Sequence, residues 1–216
     1  MTLGRSRWLL ALRHAVYQVA ASIYCHQRQF ITVRRLEGAE TSIPEDSATI
    51  AVMVDSLPAF RALAAEIPRT FRDSLEALEE RVAHGCVLCL ARRKRADGAG
   101  HEVIGYEIAE RGVFSALGRR TPAAADVIFS HYAEVLPAHR GRRVHRLLFL
   151  TRDAYFRARG ARLLCGVVDP DNAASLRALV RAGHVVVGTV ERVAIFRWLV
   201  VRRTPREAID RALRGA

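Results

Sequence analysis

The chain has 216 residues, 50% of them hydrophobic and 26% charged. That balance excludes a disordered chain, collagen, a coiled coil or a disulfide scaffold, and it suits one compact domain with its own core. The net charge is +12, but Lys94 is the only lysine among the 34 basic residues. Such an arginine bias reflects composition as much as a polyanion site, and nucleic acid is not the expected partner.

Charge is unevenly placed: residues 1–36 carry six Arg and no acid, residues 37–80 ten acids against three Arg, and residues 81–216 are again basic. Cys25, Cys86, Cys89 and Cys165 show no framework spacing. The pair Cys86 and Cys89 falls in an apolar run that reads as a strand, with no second pair or nearby histidines to complete a zinc site, so no metal is expected there. Reduced thiols point to the cytoplasm.

Residues 8–25 are largely apolar, but Arg13, His14 and Gln18 interrupt them. The stretch is too broken for a membrane span and too short before Arg13 for a secretory signal. Trp8, Leu12, Ala15, Val19 and Ile23 instead repeat at helical spacing, which predicts an amphipathic helix within residues 1–29. Its wide apolar stripe has three possible covers: the body of the protein, a partner subunit, or an anionic membrane surface met through Arg5, Arg7, Arg13 and Arg28.

Two β-branched runs, 30–36 and 48–54, read as strands separated by turn residues between Gly38 and Asp46. Leu57–Ile67 and Phe71–Val82 show helical spacing with acids outside. Residues 86–91 and 101–109 read as a hairpin whose basic loop, including Arg92 to Arg95, is solvated. A loop over 112–125 leads to a longer strand at 126–136, ended by Pro137, and then to a helix from Val144 to Gly160. A strand at 162–168, a helix at 172–182 and two apolar runs at 184–190 and 193–201 follow, with a short helix or tail at 204–216. Hairpins around one strand–helix–strand crossover predict the α/β class of α+β type: a mixed, mostly antiparallel central sheet with helices on both faces.

Two segments carry chemistry. Residues 134–146 (EVLPAHRGRRVHR) form a strand-to-helix turn, where orphan backbone N–H groups and the helix dipole favour a diphosphate and Arg140, Arg142 and Arg143 add charge. Residues 169–184 (DPDNAASLRALVRAGH) place Asn172 at a helix start, where it also suits an N-cap. Taken alone, the arginine-rich turn reads first as a solvated basic loop.

In this element order the two segments resemble the GCN5-related N-acetyltransferase superfamily over about residues 30–200. The resemblance implies the acyl-CoA N-acyltransferase fold over 30–203 and direct transfer of an acyl group, most simply acetyl, from acetyl-CoA or another acyl-CoA to a primary amine. The acceptor would be a small molecule or a peptide, and no metal takes part. It implies that Arg140, Gly141, Arg142, Arg143, Val144 and His145 hold the coenzyme A pyrophosphate, that Val135 at the strand end also contacts the cofactor, and that Asn172 and Ser175 lie near the pantetheine arm. The sequence departs from the family pattern at two glycine positions of the turn, filled by Arg143 and His145, and at Leu179, where many members carry the tyrosine that protonates the leaving thiolate.

Acyl transfer needs a base to deprotonate the ammonium and a donor to polarise the carbonyl. His131, four residues before Val135, stands where several family members carry a base; the alternative is a buried, hydrogen-bonded sheet histidine. Strict alternation puts His131, Ala133 and Val135 on one face and Tyr132 and Glu134 on the other, leaving Glu134 as the reserve base. A bulge near residue 133, frequent in the family, would reverse that assignment. The backbone N–H around Val135 would polarise the carbonyl. Two rival readings differ in class: a protein of this fold that binds CoA or a carrier protein without catalysis, and a basic module for nucleic acid or membrane surfaces. An arginine-rich mouth would favour an anionic acceptor.

Overall fold

A computed structural model describes residues 24–37, 48–98, 100–195 and 198–203. The expected amino-terminal helix lies outside these, apart from Tyr24 and Cys25, as do the loop 38–47 and the segment 204–216. The chain forms two compact units. The larger comprises Val33–Ser115 and Arg119–Val167; the smaller, Met1–Thr32, Ala116–Gly118 and Val168–Ala216.

Strand β1 spans Tyr24–Arg35 and passes from the smaller unit into the larger. It begins at Tyr24 rather than at Phe30, so the end of the stretch expected to be helical is strand. In the larger unit follow β2 (Thr49–Val54), α1 (Leu57–Leu63) with a 3-10 turn at Ala64–Glu66, α2 (Leu75–Ala83), β3 (Val87–Lys94) and β4 (His101–Arg111). Then come the short β5 (Val113–Ala116) and β6 (Arg119–Pro122), the long β7 (Val127–Val135), α3 (Val144–Arg157) and β8 (Leu163–Val168). The smaller unit holds α4 (Ala173–Arg181) and the antiparallel pair β9 (Val185–Ile195) and β10 (Trp198–Arg203).

In the larger unit β2, β3, β4 and β7 pair antiparallel in that order, and β8 joins β7 in parallel. This is the mixed, mostly antiparallel sheet that the element order predicts. Alternation in β3 and β4 divides two cores. Leu88, Leu90, Tyr106 and Ile108 pack with Phe60, Phe71 and Leu78 on the α1/α2 face, while Cys89, Ala91 and Ile104 pack with Val144 and Leu148 of α3 on the other. Cys86 belongs to the first face and Cys89 to the second, so they do not act as a pair. Among the described residues no helix is long and apolar enough to cross a membrane.

Three local readings change. The basic run is not all loop: Arg92 to Lys94 are in β3, opposite Val103 to His101, and Arg92 makes a two-point ion pair with Glu66 at 2.7 and 2.5 Å. Helix α2 starts only after Ser74, whose Oγ accepts from the Ala77 N–H at 3.2 Å and fixes the first turn. Phe71 reaches the core from the preceding connector, edge-on to Tyr106. The expected loop at 112–125 contains the β5/β6 hairpin; its tip, Leu117 and Gly118, has φ of 50° and 75°, the two consecutive positive values that a tight hairpin needs.

On the α3 side the sheet buries charge. Arg152, 2% exposed in its side chain, pairs with Glu107, 0% exposed, and with Asp153 at 2.7 Å. Arg34 pairs with the other oxygen of Asp153, and Ser130 donates to Glu107 at 2.8 Å. Burial pushes the Arg34 pKa down to about 10. Such a network tolerates loss of the whole better than loss of one member, because a lone buried charge keeps its desolvation penalty without its partner. Arg152→Leu is therefore expected to cost about 3–5 kcal/mol in urea unfolding. Adding Glu107→Leu to it should recover part of that loss.

Candidate active site

The site is organised by an irregularity in β7. Ile108 of β4 lies opposite Tyr132, but the next residue, Ala109, lies opposite Ser130. His131 is thus an extra residue, a β-bulge that rotates the strand's faces relative to each other. The strict alternation expected for this strand is broken: a bulge lies at His131, two residues before the position considered, and it corrects the face assignment. Tyr132 packs with the α1/α2 core, and Glu134 accepts from the Arg72 N–H of the α1–α2 connector at 3.1 Å. Val135 packs with the α3 core. His131 and Glu134 therefore share a face, and Val135 has the other.

The same bulge ends the pairing with β8, which runs from Val127 opposite Leu163 to Ser130 opposite Gly166. Among the described residues, β7 beyond Ser130 pairs with β4 alone. The Leu136 N–H bonds Ile104 O at 3.0 Å toward β4, so by alternation the Ala133 and Val135 N–H groups point to the opposite edge. The Val135 carbonyl accepts from Arg140 Nε at 3.1 Å. This tie holds the strand end to the turn that follows.

That turn keeps a glycine-like backbone without the second glycine. Gly141 has φ 76°, and Arg143 has φ 61° and ψ 12° as the residue before α3. A left-handed non-glycine residue costs about 1–2 kcal/mol, so the turn geometry is imposed against local preference. Leu147 N–H makes the first helical bond, to Arg143 O at 3.1 Å, which puts the N–H groups of Val144 and His145 at the donor end of a 14-residue helix. Arg140, Gly141, Arg142 and Arg143 are exposed around it. The His145 ring packs at a tilt against Phe149, 4.2 Å between centroids, and burial pushes its pKa down. Its contribution to the turn is therefore its backbone N–H.

His131 sits in a cluster that sequence spacing could not assemble. Its Nε2 is 3.0 Å from Glu110 Oε2, its ring meets Phe129 edge-on, and Glu110 also takes an ion pair from Arg120. Cys86 Sγ donates to the same Oε2 at 3.8 Å. Burial pushes the His131 pKa down, against the pull of Glu110, and pushes the Cys86 thiol up to about 11. Glu110 is the residue that the sequence reading missed. Its signal was an acid two residues after Ile108, continuing the inward series Tyr106 and Ile108, but the strand was expected to end at Ala109.

Nearer the strand end, the Tyr106 hydroxyl donates to Asp73 at 3.0 Å, with burial and then Asp73 raising its pKa. The Arg72 guanidinium lies 5.1 Å over the Tyr132 ring. The connector between α1 and α2 thus docks Arg72 and Asp73 on the face that carries His131 and Glu134.

Asn172 and Ser175 lie in the smaller unit. Asn172 Oδ1 accepts from the Ser175 N–H at 3.0 Å and caps α4, so the N-cap reading of Asn172 holds. Leu179 stands in that helix at the position of the missing tyrosine.

The strained turn gives a stability test. Arg143→Gly removes the left-handed penalty but frees the unfolded backbone, for a net gain expected at about 0.5–1 kcal/mol in urea unfolding. No gain would mean that the arginine side chain offsets its own strain.

No protein-family model matches the sequence, and no curated protein is similar to it. Solved structures are similar in fold. A Drosophila protein from a structural genomics programme is 16% identical with a TM-score of 0.52, over 87% of this chain and 57% of that one. A tandem GNAT protein from the clavulanic acid biosynthesis pathway is 16% identical with a TM-score of 0.51, over 79% of this chain and 54% of that one. A GCN5-related N-acetyltransferase from Sphaerobacter thermophilus is 17% identical with a TM-score of 0.51, over 86% and 57%. This chain spans somewhat over half the length of each. With its bulged β7 leading through a left-handed turn into α3, and with these neighbours, the chain has the fold of the GCN5-related N-acetyltransferase superfamily.

Proposed function

We propose that the chain is an acyl-CoA-dependent N-acyltransferase that moves an acyl group, most simply acetyl, from a CoA thioester to a primary amine of a small molecule or peptide. One observation carries the reading: β7 leaves β8 at the His131 bulge, and the one-sided strand end runs directly into the strained, arginine-rich turn of α3. An extended pantetheine arm suits a strand edge whose N–H groups lack a ladder partner, and a pyrophosphate suits a helix N-terminus ringed by Arg140, Arg142 and Arg143. Asn172 and Ser175 are assigned to the arm by family resemblance alone.

In this mechanism the N–H of Ala133 or Val135 donates to the thioester oxygen and stabilises the charge that grows on it, a contribution of about 2.7–4 kcal/mol for a well-placed donor. His131 is the base. With Nε2–H donated to Glu110, Nδ1 carries the lone pair that takes the proton from the acceptor ammonium, directly or through water. Burial keeps the imidazole neutral at pH 7 and so competent. Glu134 on the same face holds the ammonium and is the reserve base. The amine nitrogen then attacks the thioester carbon, the C–S bond breaks, the nitrogen gives its second proton to solvent, and the thiolate takes a proton from solvent, since Leu179 cannot supply one.

That missing acid favours a second reading, in which the fold binds CoA or a carrier protein without turnover. Calorimetric titration with acetyl-CoA, followed by thiol release over a panel of anionic and cationic amines, separates the two. Arg140→Ala is expected to weaken acetyl-CoA at least about tenfold by removing a charged phosphate donor and the tie to Val135. His131→Ala should lower kcat/KM by about 10²–10⁴ while acetyl-CoA still binds. In the native enzyme kcat/KM should fall toward acid with an apparent pKa below the ordinary 6.5 of histidine, because the base must be neutral and its pKa is depressed. Binding without turnover for every amine would support the second reading, and no binding of any acyl-CoA would overturn the first and leave only the carrier-protein form of the second.

A further inference from the structure

We propose that Cys86, Glu110 and His131 form a binding site for one zinc ion on the α1/α2 face of the sheet. Three different segments converge there: Cys86 just before β3, Glu110 at the end of β4 and His131 in the bulge of β7. One ligand atom from each residue lies within 4.8 Å of the other two. The convergence is on a single oxygen, since Glu110 Oε2 is 3.8 Å from Cys86 Sγ and 3.0 Å from His131 Nε2.

A four-coordinate zinc ion with bonds of about 2.0–2.3 Å needs its donors about 3.3–3.8 Å apart, so the trio closes on an ion with shifts of an ångström or less. The donors are the right kind. One sulfur, one imidazole nitrogen and one carboxylate oxygen suit zinc and cobalt(II), whereas magnesium and calcium take oxygen sets. Glu110 is oriented from behind: Arg120 holds its Oε1 and turns Oε2 inward, the outer-shell support that ligating carboxylates require. The site is enclosed, with Cys86 and Glu110 each 5% exposed.

Within the ligand set the charges balance. The ion breaks the Cys86 S–H bond, the proton leaves to solvent, and a sulfur–metal bond forms. Thiolate and carboxylate then neutralise the dication, and the neighbouring cations are Arg120 and Arg81. The bulge makes the site possible by presenting His131 on the same face as Glu110 and Cys86. Resting on the acyl-transfer reading, one consequence follows: zinc on Nε2 fixes the other tautomer, with the proton on Nδ1, and removes the lone pair that serves as base. Zinc would thus inhibit turnover.

The test reads metal directly and so stands apart from activity. The full chain, freed of metal, is titrated with cobalt(II) by absorbance and with zinc by calorimetry. The expected result is one ion per chain, with a thiolate-to-cobalt charge-transfer band and the strong ligand-field bands of a tetrahedral site. Cys86→Ser should abolish the charge-transfer band and, like Glu110→Gln, weaken zinc at least about tenfold, while Cys165→Ser leaves both unchanged. Absence of the thiolate band in the native chain, or zinc affinity unchanged in folded Cys86→Ser, would overturn the site. The native cobalt spectrum decides even where a variant fails to fold.

Discussion

One extra residue in β7 sets which side chains share a face of this sheet. A strand alternates its side chains with period two, and the pairing of β4 with β7 would carry that alternation unbroken from Val127 to Val135. Inserting His131 changes the phase midway. Phe129 and His131 before the change, and Tyr132 and Glu134 after it, then reach the α1/α2 face, while Ala133 and Val135 take the α3 side. The change of twist also ends the parallel ladder with β8 at Ser130. A titratable cluster, a carboxylate and a one-sided strand edge thus trace to one local irregularity.

Maintaining that arrangement requires compensation elsewhere. Directly below the bulge, Ser130 donates to Glu107, whose charge is met by Arg152, which in turn joins Asp153 and Arg34. The network spans β1, β4, β7 and α3, so it fixes the start of the bulge relative to the helix that carries the turn. At the other end of β7 the left-handed Arg143 is held between Arg140, tied to the Val135 carbonyl, and the first helical bond of α3. Strain at a turn persists where the flanking elements are rigid. Here a packed helix and a paired strand supply that rigidity.

Much of the architecture was legible in the sequence because burial on a sheet face or a helix stripe leaves a periodic trace. The strands at 48–54, 126–136 and 162–168 and the helix from Val144 appear within a residue or two of their expected bounds. The reading failed where the deciding force was not periodic. Ser74 rather than Phe71 starts α2, because a side-chain hydroxyl caps the first turn. Arg92 and Arg93 read as loop by charge, yet they are held in β3 by a ladder to β4 and by the ion pair with Glu66. The β5/β6 hairpin is too short and polar to show alternation, and its turn depends on a left-handed Leu117 that composition does not announce.

The sequence by itself determined most of the order of elements, the mixed sheet and the basic strand-to-helix turn before α3, because each is written in local spacing and local chemistry, while His131 and Glu134 came forward as candidates through the family resemblance. Tertiary structure alone decided which side chains meet. Glu110 and Cys86 join His131 only because β3, β4 and β7 lie side by side, and Glu134 faces the same way as His131 only because the register slips by one residue. Register is a property of two strands together. The sequence of one strand specifies its period, and its partner fixes the phase.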